Sequence, residues 1–151
     1  SYYMLGLCYE RQGKHTEALN YFQKLKAKNA DISIKMGDCY RFSGDLAKAV
    51  SYYRDGLSRL PKNRPELQFK LGETLEESGR LDEAASEYLK VASDTKLIVK
   101  GLLRCGQILE GQEKWHAAID IYERIIGLEV EESKFAVERI TLINERYLAR
   151  R

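Results

Sequence analysis

The sequence contains few of the residues that build catalytic, metal or disulfide sites. Its 151 residues include only three cysteines and two histidines. Cys8, Cys39 and Cys105 form an odd set without a C-x-x-C spacing, which argues against a zinc site or a disulfide framework. His15 and His116 lie far apart, with no acid–base partner at motif spacing. Phosphate-loop, metalloprotease and serine-nucleophile motifs do not occur either. The sequence therefore predicts no enzyme, no cofactor and no metal.

Charge and hydropathy exclude further classes of protein. The net charge is only +2, which is too small to indicate bulk attraction to nucleic acid or to an acidic membrane. No apolar run approaches the roughly 20 residues of a membrane span. Only two prolines occur, and the eleven glycines are scattered, so the chain is neither collagen-like nor a disordered linker. The chain begins at Ser1 and not at a methionine, and we expect it to be a segment of a longer protein.

One spacing of small and aromatic residues occurs four times. A glycine is followed twelve residues later by an alanine and four residues after that by an aromatic residue. The four sets are Gly6, Ala18 and Phe22; Gly37, Ala49 and Tyr53; Gly72, Ala84 and Tyr88; and Gly106, Ala118 and Tyr122. Glycine inside a helix costs roughly 0.5–1 kcal/mol relative to alanine, so its recurrence needs a compensating contact. We expect the glycine to let a second helix approach closely, with the alanine as the matching small surface.

The pattern resembles the tetratricopeptide repeat, W-x2-L-G-x2-Y…A-x3-F…P, whose period is about 34 residues. The glycines lie 31, 35 and 34 residues apart, and the closing proline appears once, as Pro61. The resemblance covers about residues 2–130. It implies an all-α fold, a right-handed superhelical array of antiparallel helix pairs. We divide the chain into four repeats at about 1–30, 31–63, 64–96 and 97–130, followed by residues 131–151.

The resemblance and the helix signals together predict nine helices. Their ranges are about 1–12, 15–27, 30–42, 46–59, 65–78, 82–93, 96–111, 115–127 and 132–149. Gly13, Gly44 and Gly79 lie between the helices of a pair, where a positive φ is expected, and Pro65 suits a first helical turn. The last helix is predicted to cap the array, because open-ended arrays need a polar outer end. The alternative is the first helix of a truncated fifth repeat.

In this family the first helix of each pair lines a concave groove. The residues three positions before the glycines are all large and apolar: Tyr3, Ile34, Phe69 and Leu103. We call these four residues the apolar ladder. A basic row accompanies it, formed by Lys35, Lys70, Lys100 and Arg104. With Asp38, Glu73 and Gln107, these side chains are the candidate peptide-binding groove. The alternative is that the ladder packs between helices and that the charges only solvate the surface.

The resemblance implies a scaffold that binds a peptide or helix of a partner protein in its groove. We expect an amphipathic partner whose acids reach Lys70, Lys100 and Arg104. A carboxylate clamp for chaperone C-termini is disfavoured, because only two of its five positions match and Asp38 stands where a carboxylate would bind. No small-molecule substrate is expected, and self-association is left open.

Two other functions and the compartment stay open at the level of sequence. The first is a nucleic-acid-binding helical repeat, against which the net charge and the acidic run around Glu73, Glu76 and Glu77 argue. The second is a regulatory or targeting arm of a larger enzyme. The three cysteines are predicted to be buried and unpaired, which favours a reducing cytoplasm. Periplasmic assembly proteins also use such repeats, so the periplasm is the alternative.

Overall fold

The fold is an array of antiparallel helix pairs. The computed structural model describes residues 1–26, 29–60 and 64–149, and within them it contains nine α-helices and a closing π-helical turn. The helices are α1 Tyr2–Arg11, α2 His15–Gln23, α3 Ala30–Phe42, α4 Leu46–Ser58, α5 Pro65–Glu77, α6 Leu81–Leu89, α7 Thr95–Gly111, α8 Trp115–Gly127 and α9 Ser133–Ile143. Each helix packs against the next one in the chain, which confirms the predicted all-α solenoid. No helix in the described ranges is both long and apolar enough to cross a membrane.

The turns inside the pairs follow the prediction. Gly13, Gly44 and Gly79 have φ values of 73°, 86° and 78°. Only glycine adopts this left-handed conformation without a steric cost. In the fourth pair the same place is taken by Glu113, with φ of 58°. Pro65 is the first residue of α5, also as predicted, whereas Pro61 lies outside the described residues.

Two second helices end earlier than the sequence indicated. Helix α2 ends at Gln23 and not near residue 27, and α6 ends at Leu89 and not near residue 93. The helices that follow begin at Ala30 and Thr95, close to the predicted positions. Asn29 caps α3 and Asp94 caps α7, each side chain accepting a hydrogen bond from the backbone amide three residues later, at 2.9 and 3.1 Å. A capping residue has a non-helical backbone, so a preceding helix cannot run through it.

The C-terminal segment is not one continuous α-helix to residue 149. Helix α9 ends at Ile143, and a π-helical turn follows over Asn144–Leu148. A π turn holds more residues than an α turn, so the side chains within and after it point in different directions from those of a continuous α-helix. Tyr147 then stacks on Trp115 with ring centroids 3.9 Å apart. Packing against the fourth pair has overridden the simple helical periodicity.

The glycines in the first helices make room for an aromatic ring. A Cβ atom on Gly37 would lie 2.6 Å from the ring of Tyr53, and one on Gly72 would lie 2.6 Å from Tyr88. The direct neighbour of the glycine is therefore the aromatic residue 16 positions later, and not the alanine that the spacing suggests as its matching surface. The alanines of the motif are fully buried in the same interface.

Burial of the cysteines differs between pairs. Cys39 and Cys105 are buried, as predicted, and burial raises the pKa of Cys39 to about 12. The prediction for Cys8 was wrong, because Cys8 is exposed. In the later pairs the first helix also packs one face against the second helix of the preceding pair. No described helix covers that face of α1.

Candidate functional site

The first helices α1, α3, α5 and α7 carry every residue of the predicted groove, and we call their common face the first-helix surface. The four residues of the apolar ladder are half-buried in the structure. Tyr3, Ile34 and Phe69 pack against the core of the first three pairs, and Leu103 packs against the core around α8 and α9. The ladder thus contributes to packing between helices and still offers part of its apolar area to solvent.

Three members of the basic row are paired with acids of the preceding first helix. Lys35 Nζ lies 3.0 Å from a carboxylate oxygen of Glu10, and Lys70 Nζ lies 2.9 Å from one of Asp38. Arg104 binds Glu76. Lys100 is exposed and makes no ion pair within the described part of the chain. An acidic partner would have to displace a carboxylate from most of this row.

In the last three pairs, a tyrosine of the second helix donates a hydrogen bond to an acid of the first helix. The hydroxyls of Tyr53, Tyr88 and Tyr122 donate hydrogen bonds of 2.6, 2.7 and 2.5 Å to an acid of the first helix in the same pair. The acceptors are Asp38, Glu76 and Glu110. Burial raises the pKa of Tyr88, and the bond to Glu76 raises it further, so the phenol stays a donor. Each acid thus connects a tyrosine of the second helix in its own pair to a basic residue further along the array. That basic residue lies on α5 for Asp38, on α7 for Glu76 and on α9 for Glu110.

Helix α9 continues this arrangement. Arg139 binds Glu110 as Arg104 binds Glu76 in the preceding pair. Burial tends to raise the pKa of Glu110, but the hydrogen bonds from Arg139 and Tyr122 lower it more, and the net shift is downward. Arg139 was not among the predicted site residues. Its signal in the sequence was its position 35 residues after Arg104, one repeat length further on.

The contact between α3 and α5 has a different charge pattern. Four residues after the glycine the other first helices carry glutamate, whereas α3 carries Arg41. Arg41 binds Glu77 and lies 3.6 Å from Glu73. The hydrogen bond to Glu77 raises the pKa of Arg41. One guanidinium therefore faces two carboxylates.

Two adjoining pockets open on this part of the first-helix surface. The first has a volume of about 360 Å³ and is lined by Phe69, Glu73, Glu76, Glu77, Tyr88 and Arg104. The second has a volume of about 500 Å³ and is lined by Asp38, Arg41, Phe42, Lys70 and Glu77. Glu77 lines both pockets. We call the two together the central site.

Phe42 is the most accessible large apolar side chain of the central site. It is 72% exposed, and its ring stacks against His15 with centroids 4.3 Å apart. Sequence reasoning did not select it as a site residue. The available signal was an aromatic residue five positions after Gly37, on the same helix as Ile34 of the apolar ladder.

The structure divides the predicted groove among several pockets. Asp38, Phe69, Lys70, Glu73 and Arg104 come together in the central site. The remaining predicted residues lie outside it. Tyr3 borders a pocket with Asp31, Ile34 borders one that also includes Lys70, and Gln107 borders one with Arg139, while Lys35, Lys100 and Leu103 line none of these pockets.

Comparison with protein families identifies the repeats. Models described as tetratricopeptide repeat match residues 1–31 and residues 34–95. Together these matches cover more than half of the chain, and they include the first three glycine–alanine–aromatic sets.

Two curated proteins are similar in sequence. The BBSome complex member BBS4 homologue of Drosophila melanogaster is 23% identical over 150 residues, which cover 91% of this chain and 31% of that protein. The general transcriptional corepressor trfA of Dictyostelium discoideum is 29% identical over 82 residues, which cover 52% of this chain and 6% of that protein. The chain therefore spans less than a third of the length of these curated relatives.

Solved structures of MamA share the fold. The P212121 form of MamA AMB-1 superposes with a TM-score of 0.71 at 21% identity, covering 96% of this chain and 80% of that chain. The MamA RS-1 ArsTM double mutant gives a TM-score of 0.72 at 19% identity, covering 96% and 82%. At this level of identity the likeness concerns the fold alone.

Proposed function

Because this chain belongs to the tetratricopeptide repeat family of interaction scaffolds, we propose that its first-helix surface binds a segment of a partner protein. The observation that carries the proposal is apolar area at the central site that the fold leaves open. Phe42 is largely exposed and Phe69 is half-buried, and both line pockets. Large aromatic side chains in such positions commonly dominate peptide recognition.

The proposal assigns the chain a binding role. Among the described residues, no three histidine, cysteine or acidic side chains lie together as a metal site would require. Most basic side chains of the first-helix surface are paired with acidic side chains of the same chain. This pairing gives no support to the nucleic-acid alternative. A role as an arm of a larger enzyme stays a prediction for the full-length protein.

Selection from a random peptide library tests the proposal without requiring that the partner be identified first. We expect the chain to enrich peptides with apolar residues at a fixed spacing. Phe42→Ala should weaken binding of a selected peptide about tenfold or more, as expected for an aromatic anchor. Because Phe42 is 72% exposed and stacks only on the ring of His15, its loss should change the free energy of unfolding by no more than about 1 kcal/mol.

The matched control is Leu89→Ala, which removes an exposed apolar side chain from the second helix α6. This variant should bind the peptide as the wild type does. Failure to enrich any peptide, or equal affinity of the Phe42→Ala variant and the wild type, would contradict binding at the central site.

A further inference from the structure

In the cluster of Arg41, Glu73 and Glu77, the two carboxylates are more exposed than the guanidinium that they share. The side chains of Glu73 and Glu77 are 42% and 46% exposed, whereas that of Arg41 between them is 23% exposed. A ligand that approaches this cluster meets the carboxylates before the guanidinium of Arg41, and Arg104, which is 47% exposed in the same pocket, is already paired with Glu76.

The bases of the central site do not neutralise all of its acids. Arg104 is engaged by Glu76 through Nε and Nη2, and its Nη1 donates to Gln107 at 2.9 Å. Lys70 is paired with Asp38. Arg41 is therefore the one cation bound to both Glu73 and Glu77 in the described structure. The central site thus has four acidic residues and three basic ones, so one negative charge is not balanced within it.

The floor of the same pocket is aromatic. The rings of Phe69, which is half-buried, and Tyr88, which is almost fully buried, lie with centroids 5.3 Å apart and line the pocket together with Glu73, Glu76, Glu77 and Arg104. A cation over an aromatic face gains roughly 0.5–1 kcal/mol at an exposed site, in addition to its attraction to carboxylates. An apolar floor with acidic walls suits the alkyl stem and charged end of lysine or arginine.

We infer that the partner segment carries a lysine or arginine that binds the exposed carboxylates of Glu73 and Glu77 over Phe69, sharing them with Arg41, next to an apolar residue that packs on Phe42. The occupant is thus a basic amphipathic segment of a protein, and not the acidic segment that the basic row predicts. The inference rests on the proposed function, since it specifies the ligand of the same surface.

The peptide selection is repeated with a Glu73→Gln, Glu77→Gln double variant. Glutamine keeps the size of both side chains and removes their charge. The wild type should enrich lysine or arginine at one position beside an apolar residue, and the double variant should not. A peptide selected by the wild type should bind the double variant at least tenfold more weakly and should lose most of its salt dependence.

Two controls separate charge at this site from charge in general. Glu17→Gln with Glu123→Gln removes two exposed acids from the second helices α2 and α8 and should leave peptide binding unchanged. Replacing the basic residue of the peptide by norleucine should weaken binding to the wild type and have little further effect in the double variant. Thermal melts of all variants confirm that they are folded.

The outcomes of the selection separate the two levels of the proposal. Enrichment of peptides without a basic residue, enrichment of acidic peptides, or equal affinity of the double variant would overturn the inference while leaving peptide binding intact. Enrichment of no peptide at all would instead refute the proposed function.

Discussion

At the scale of single residues, the fourth pair departs from the turn chemistry of the others. Glu113 occupies the left-handed position that glycine holds at Gly13, Gly44 and Gly79. This conformation brings the Cβ atom of an L-residue close to a neighbouring carbonyl oxygen and costs roughly 1–2 kcal/mol. The other three pairs avoid that cost.

Glu113→Gly should therefore stabilise the chain. Part of the relief is offset because glycine also gains freedom in the unfolded state, so we expect a net gain of about 0.5–1 kcal/mol. For a domain of this size the melting temperature should rise by about 1–4 °C. The reciprocal change, Gly44→Ala, should lower it, since a Cβ at Gly44 meets no atom within 4 Å and only the backbone conformation is penalised. A rise in both variants would contradict this explanation.

At the scale of helices, the pairs are held by an aromatic ring that lies against a glycine. Tyr88 is almost fully buried on Gly72, and its hydroxyl reaches Glu76 on the same first helix. One side chain thereby fixes both the distance and the rotation of α6 relative to α5.

Gly72→Ala should destabilise the chain by about 1–2 kcal/mol, although alanine favours a helix. The new Cβ would lie 2.6 Å from the Tyr88 ring, and overpacking of this kind costs typically 1–3 kcal/mol. Gly111→Ala is the control, because Gly111 ends α7 with no atom within 4 Å of its added Cβ. That variant should be neutral or more stable in a urea titration. If both variants shift the midpoint in the same direction, close packing is not the reason for the glycine.

At the scale of the whole molecule, α9 closes the described array. Ala136 and Ile143 are fully buried against α8, while Val137 and Phe135 stay partly exposed. The contact between Arg139 and Glu110 gives α9 the position of a first helix. Whether α9 is a cap or the first helix of a fifth repeat stays a prediction. In either case α9 packs on α8 and shields the apolar side chains of the fourth pair from solvent.

Deletion of residues 132–151 should expose Ile125 and leave Glu110 without Arg139. We expect a lower melting temperature and self-association that increases with concentration, measured by light scattering. Deletion of residues 144–151 alone keeps α9 and should have a smaller effect. If the longer deletion stays monomeric with an unchanged melt, α9 does not cover the array.

Much of the central site could not be predicted from the sequence, although its residues were partly recognised. Lys70, Arg104 and Phe69 were selected because of their spacing from the glycines. The spacing does not reveal that Lys70 binds Asp38 or that Arg104 binds Glu76, because these partners lie 32 and 28 residues away along the chain. Phe42 and Arg139 were missed because the predicted groove positions did not include them.

The sequence by itself determined the fold class, the helix pairs and their turns. Those features depend on periodicity and on local backbone preferences, and both can be recognised from the order of residues along the chain. The tertiary structure alone decided which bases are paired, which carboxylates face solvent, why Cys8 is exposed, and where α2 and α6 end. These properties depend on which side chains meet between neighbouring helices. A repeat pattern states that such helices pack, but the individual residues at each contact set the charge and shape of the surface that results.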